Sequence, residues 1–199
     1  MDNKNYLKSL YPFIIFSLFF FIFSVTYGYF TAKSSPDNAK IVLEQVKKMY
    51  EPIIHANRIS QFFFVFLNNS FTIFISIILG ILVGIFPILV LFSNGILIGI
   101  LVFLWIQEYP LESFLTGILP HGVIEIPVFI MGTAIGIKIG KIVLYKILRR
   151  ININLLKGLY AKISLKEEIS LGLIFFLKFL VPLLAIAAVI EIFITPAIF

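Results

Sequence analysis

GILPHGVIEIPVFIMGTAIGIKIGK, residues 117–141, is the stretch from which the rest of the chain is read. It is apolar for about one bilayer thickness at about 1.5 Å of rise per helical residue, and it closes on Lys138 and Lys141. Pro120 reads as a first helical position, where its missing N–H costs nothing, so a membrane span over 120–141 is expected. Inside it, His121 and Glu125 stand four residues apart and share one face of the helix. An ionisable pair inside an apolar span is expensive, and the default reading of such a pair is functional.

The flanks are of the same character. The chain has 199 residues, 60% hydrophobic and only 13% charged, with 23 Phe, against roughly 45–50% apolar in soluble domains. The expected fold is an all-α membrane protein, a bundle of about five transmembrane helices with one amphipathic surface helix. The length leaves room for a single integral membrane domain, 1–199, and no sizeable soluble one. With no cysteine, disulfides, thiolate metal sites and cysteine nucleophiles are excluded. The net charge of +6 fits a positive-inside bias and contact with anionic lipids rather than nucleic acid.

Upstream, residues 12–30 form an apolar run long enough for a first span, too long for a signal-peptide core and followed by no clean small-residue cleavage site. Ser35-Pro36-Asp37 opens a helix, with a capping serine, a proline at the first position and an acid in the first turn. Over 36–51, Val42, Leu43, Val46, Met49 and Tyr50 share one face and Lys40, Glu44, Lys47, Lys48 and Glu51 the other, with Pro52 as the stop. This amphipathic helix is expected on the membrane surface, against a partner, or packed on the bundle. His55 behind it reads as an ordinary interfacial residue. From 59 to 106 the chain is apolar for roughly 72 Å if helical, which demands two crossings. Ser93-Asn94-Gly95 is its strongest turn signal, which predicts a long span at 62–92 and a short or re-entrant one at 95–107. Short, glycine-bounded apolar segments are where transporters place their sites. Downstream, 142–166 is basic and expected at the lipid surface, Ser164 with Glu167 makes a capping box, and the last span covers 171–194 with a kink at Pro182 and with Lys178 snorkelling to the cytoplasmic surface rather than pairing with Glu125.

Gly80-x-x-x-Gly84, Gly95-x-x-x-Gly99 and the double pattern Gly132, Gly136, Gly140 let helix backbones approach closely. They serve either packing within the chain or an oligomer face, the last being the better dimer candidate. Residues 107–119 carry Glu108 and Glu112 and no base, whereas 138–166 carry Lys138, Lys141, Lys146, Arg149, Arg150, Lys157, Lys162 and Lys166. That asymmetry places a cytoplasmic N-terminus, an outside amphipathic helix and an outside C-terminus in the cell membrane.

Pro120-His121-Gly122 with Glu125, and upstream Asn68-Asn69 and Ser93-Asn94-Gly95 before Gly99, resemble the pattern of the stage II sporulation protein M family, over roughly residues 62–141. That family consists of small integral membrane proteins of bacteria and archaea. Its sporulation member is associated with a membrane complex, including cell-wall hydrolases, that drives engulfment. The resemblance implies a membrane scaffold or assembly factor.

For Glu125 several readings stand side by side. The free amides and positive dipole of a helix starting at Pro120 favour a carboxylate, so His121 and Glu125 form either a structural staple or a polar site for a proton, cation or small solute, with Asn68, Asn69 and Asn94 as neighbours. Two ligands fall short of a zinc set, and no metal or cofactor is expected. Catalysis is not expected either: there is no paired-histidine metal motif, no Gly-x-Ser-x-Gly elbow and no phosphate-binding glycine loop. Two function classes follow: an oligomeric scaffold, with a dimer favoured, and a channel or secondary transporter working at His121 and Glu125.

Overall fold

A computed structural model of the chain describes residues 3–151 and 163–195, with the side chains of 3 and 111–121 left out. The architecture is all helical, with no strand among the described residues. In chain order the elements are α1 (Asn3–Ser34), α2 (Pro36–Ile54), α3 (Arg58–Ile78), α4 (Ile85–Glu108), α5 (Leu111–Arg150), α6 (Leu165–Phe175) and α7 (Val181–Val189). A π-helical turn, Phe176–Leu180, joins α6 to α7, and a second, Ile190–Ile194, follows it. Five stretches are long and apolar enough to cross a membrane: Lys4–Ser34, Arg58–Ile81, Ile85–Glu108, Gly122–Arg150 and Leu165–Ile194. The chain is an all-α membrane bundle.

α5 is the axis of the bundle. Val128, Ala134, Ile135, Ile139 and Ile142 on it are essentially inaccessible, and α1, α3, α4 and α7 all pack against it. The main core joins Ile73 and Ile77 of α3, Tyr6 and Leu10 of α1, Val128, Ile135 and Ile139 of α5, and Phe175, Leu180 and Leu184 of the last span. Most other large apolar side chains face outward, as lipid demands. α1 shows why its face is buried: Tyr6, Leu10, Phe13, Ser17, Phe21, Ser24, Gly28 and Ala32 recur every three or four residues, the seam of a left-handed helix pair. Along that seam bulk gives way to small residues. At the small end α4 closes in, Gly95 against Ser24, Gly99 against Val25 O, and Gly28 against the backbone of Ile96.

The same device joins α3, α4 and α5. A Cβ on Gly80 would strike Gly136, one on Gly136 would strike Ser76 O, one on Gly140 would strike Gly84 N, and one on Gly132 would strike Ile73. These glycines are therefore occupied inside the chain, which removes Gly132, Gly136 and Gly140 as a free dimer face.

Three boundaries differ from expectation, each for a physical reason. The break between the second and third spans is not at Ser93-Asn94-Gly95 but at residues 79–84, where a single 3₁₀ turn (Leu79–Ile81) leads into Val83 and Gly84 at φ 58° and 76°. Gly84 N donates to Gly80 O at 2.9 Å and stops the helix. α4 instead runs straight through, because Ser93 Oγ and Asn94 Nδ2 both donate to Val90 O, at 3.2 and 2.9 Å, and satisfy themselves on their own helix. With no water to accept open backbone groups, a Ser-Asn-Gly turn in hydrocarbon loses to continued helix. The expected short span at 95–107 is thus part of a full-length one. Second, α5 begins at Leu111 behind an extended Pro110, so Pro120 is an interior residue and not a helix start. Third, α2 continues past Pro52 to Ile54, and its C-terminal carbonyls of Ile53 and Ile54 are taken by Gln61 Nε2 at 3.2 and 2.8 Å. Pro36 and Asp37 hold the expected first turn of α2, while Ser35 makes no side-chain cap. The capping box at Ser164 is present, its hydroxyl accepting from Glu167 N at 3.4 Å.

Candidate intramembrane binding site

Asn68 and Asn69 lie side by side on α3, Asn94 lies near the middle of α4, and Glu125 lies about four turns inside α5. The helices bring all four to one cavity of about 240 Å³, well above the about 10–15 Å³ that admits a water molecule. Every span contributes to its wall: Phe21 from α1, Asn69 and Thr72 from α3, Asn94 from α4, Glu125 and Gly122 from α5, and Leu184 from α7. Its remaining walls are apolar. Asn69 Nδ2 donates to Glu125 Oε1, tying α3 to α5 across the cavity. Thr72 donates to the Asn68 carbonyl at 2.8 Å. A second carboxylate, Glu191, lies within electrostatic range of Glu125.

The expected neighbours Asn68, Asn69 and Asn94 are therefore assembled with Glu125, and Gly122 joins them at the wall. The side chain of His121 lies outside the described residues, as does that of Pro120; their backbones belong to α5, with His121 one turn before Glu125. Lys178 stands exposed and away from the cavity wall. Because α5 starts at Leu111, Glu125 has no free amides or helix end beside it. The dipole argument for a merely stapling carboxylate has lost its geometric basis.

Carboxylate, amide and hydroxyl oxygens are hard donors suited to a proton, an alkali or alkaline-earth cation, or a small polar solute, and ill suited to soft metals. Among the described residues no group of three or more His, Asp and Glu side chains gathers at one point.

A second buried polar cluster was not legible in the sequence. Lys138, which charge counting assigns to the basic loop, is 3% exposed in the core of α5. Its Nζ lies 2.6 Å from Glu168 Oε1 of α6 and donates to Ser9 Oγ of α1 at 2.8 Å, above the Tyr6 ring at 4.8 Å. Lys138 is one side of a three-helix clasp, and the charge it would lend to the surface is cancelled by Glu168. The only sequence signal was Glu168 itself, an acid beside Glu167 at the start of a basic-flanked span.

Five apolar spans lining a cavity whose wall holds an acid and three amides make this a multi-pass membrane protein with a partly open cavity between its spans. The chain belongs to the family Stage II sporulation protein M, whose defining pattern matches residues 17–196. No curated protein and no solved structure matches it.

Proposed function

We propose that this member of the family is a non-enzymatic membrane protein that binds a small cation or polar solute in the cavity between its spans and passes it through the bundle. One observation carries this reading: Asn68, Asn69 and Asn94 from α3 and α4 meet Glu125 from α5 around a cavity of about 240 Å³. Amides and a carboxylate cost several kcal/mol each to place in hydrocarbon without partners. Three helices have converged such groups on one space when apolar residues would fill it at lower cost. The family is not one of known enzymes, and among the described residues no serine, cysteine or lysine lines the cavity wall.

The test is ion and solute flux in liposomes. Wild type should carry a monovalent or divalent cation, or a proton, and Glu125→Gln should reduce that flux by at least about tenfold while keeping the same elution volume and melting temperature. Wild-type liposomes tight to every cation and to small polyols would refute the transport reading.

A second reading is an assembly scaffold, and α2 favours it. Its Ala39 and Val42 pack on Ile100 and Phe103 of α4, yet Ile41 and Met49 remain 53% and 75% exposed. On another face of α2 a groove of about 850 Å³ opens toward the end of α4, its wall mixing Leu43, Leu104 and Trp105 with the charged Lys40, Glu44 and Glu108. A partner helix seated there requires nothing of the cavity. Flux lost in Glu125→Gln and unaffected by Leu43→Ser in the groove wall would separate the two readings.

A further inference from the structure

The opposite end of α5 carries a second concavity of a different kind. Between the last two turns of α5 and the first residue of α6 lies a pocket of about 480 Å³, whose wall includes Lys146, Arg149 and Arg150 and no acid. The three cations fall at i, i+3 and i+4, one face of one helix, where like charges repel. None of them forms an ion pair among the described residues. The floor is apolar: Ile142 and Tyr145 are buried against Ile163 and Leu165. In the pocket wall Val143 and Ile147 stand one turn apart, Ile147 45% exposed, an apolar strip of the kind an acyl chain covers.

The pocket is also held in shape. About two turns deeper, the buried Lys138–Glu168 pair fixes α5 to α6, with both side chains 4% exposed. The angle between the two helices is thus set before any ligand arrives, and preorganisation lowers what binding must spend on ordering. The pocket lies where the apolar stretch Gly122–Arg150 ends, and the end of a membrane span is where lipid headgroups stand.

We propose that this junction is a binding site for one anionic phospholipid, its phosphate held by Lys146, Arg149 and Arg150 and its acyl chain lying along Val143 and Ile147. Arginine forks suit phosphate oxygens bidentately, and the apolar strip beside them distinguishes a lipid phosphate from a free one. This site does not depend on what the cavity at Glu125 carries.

The experiment is native mass spectrometry of the full-length protein, delipidated and offered equal amounts of phosphatidylglycerol and phosphatidylcholine. Wild type should retain phosphatidylglycerol preferentially, and the combined variant K146Q/R149Q/R150Q should lose that preference by roughly tenfold to a hundredfold. Lys166→Gln, an exposed base off the pocket, should leave it unchanged. Equal retention of both lipids by wild type overturns the proposal. So does an equal loss in Lys166→Gln, which would mean a diffuse surface field. Retention of glycerol 3-phosphate as tight as that of the lipid would assign the pocket to a free phosphate instead. Should the triple variant not reach the membrane, Arg149→Gln alone carries the same comparison at smaller amplitude.

Discussion

Lys138 and Glu168 show what a buried charge pair does in this bundle. Each would be costly alone, and removing one partner leaves the other unpaired at about 3–5 kcal/mol. Lys138→Met should therefore lower the melting temperature in detergent sharply, and adding Glu168→Leu should restore most of the loss. A double variant no more stable than Lys138→Met alone would mean the pair contributes nothing. At the cavity the opposite balance is expected. Asn69 donates one hydrogen bond to Glu125, and replacing both with leucine removes polar groups from a mostly apolar site, so Asn69→Leu with Glu125→Leu should be as stable as wild type or more so, and without flux. A large loss of stability would make the pair a staple after all. The cavity acid and its three amides were readable as a set from residue type and depth, since each is out of place in hydrocarbon. Lys138 was not, because a lysine at the end of an apolar run reads as a boundary charge. Only the tertiary approach of Glu168, 30 positions later, turns it inward.

At the scale of the elements, the bundle is assembled through glycines that meet backbone. Gly136 and Gly140 face Ser76 O and Gly84 N at distances no side chain tolerates, so Gly136→Ala and Gly140→Ala require α3 and α5 to move apart. Gly84 differs: a Cβ there meets Gly140 Cα at an ordinary 3.5 Å, and its substitution suffers only from its left-handed φ of 76°, about 1–2 kcal/mol. A melting series should rank Gly140→Ala and Gly136→Ala well below Gly84→Ala, and equal losses at all three would mean the interlock is looser than it stands. The patterns Gly80-x-x-x-Gly84 and Gly136-x-x-x-Gly140 were visible in the sequence, but not that they pair with each other, because spacing specifies a face and never its partner. The turn was misplaced for a related reason. Asn-Gly punctuates water-soluble chains, whereas in α4 the Asn94 amide returns to its own helix; the true break at Gly84 was disguised as a packing glycine. The expected helix start at Pro120 failed in the same way, since membrane helices carry interior prolines that soluble ones reject.

For the whole molecule, five spans put the two ends of the described bundle on opposite sides of the membrane, and the charge distribution chooses between the two orientations. The end holding the α3–α4 turn, the start of α1 and the close of α5 carries Lys4, Lys8, Lys141, Lys146, Arg149, Arg150 and Lys166 against the exposed acid Glu167. At the end holding α2, the bases Lys33, Lys40, Lys47, Lys48 and Arg58 are matched by Asp37, Glu44, Glu51, Glu108 and Glu112. Burial of Lys138 against Glu168 subtracts nothing from this contrast, since the two cancel. The basic end is accordingly expected in the cytoplasm, with α2 and its groove outside and the cavity acid Glu125 nearer the outer face. Single cysteines at Met49, on exposed α2, and at Lys166, on the basic end, test this in intact cells with a membrane-impermeant maleimide. Labelling of Met49→Cys alone supports the orientation. Labelling of Lys166→Cys alone inverts the molecule, which would turn the α2 groove toward cytoplasmic partners and place the phospholipid pocket in the outer leaflet. Because the basic residues sit in short segments beside span ends, where their count dominates orientation, the first outcome is the expected one.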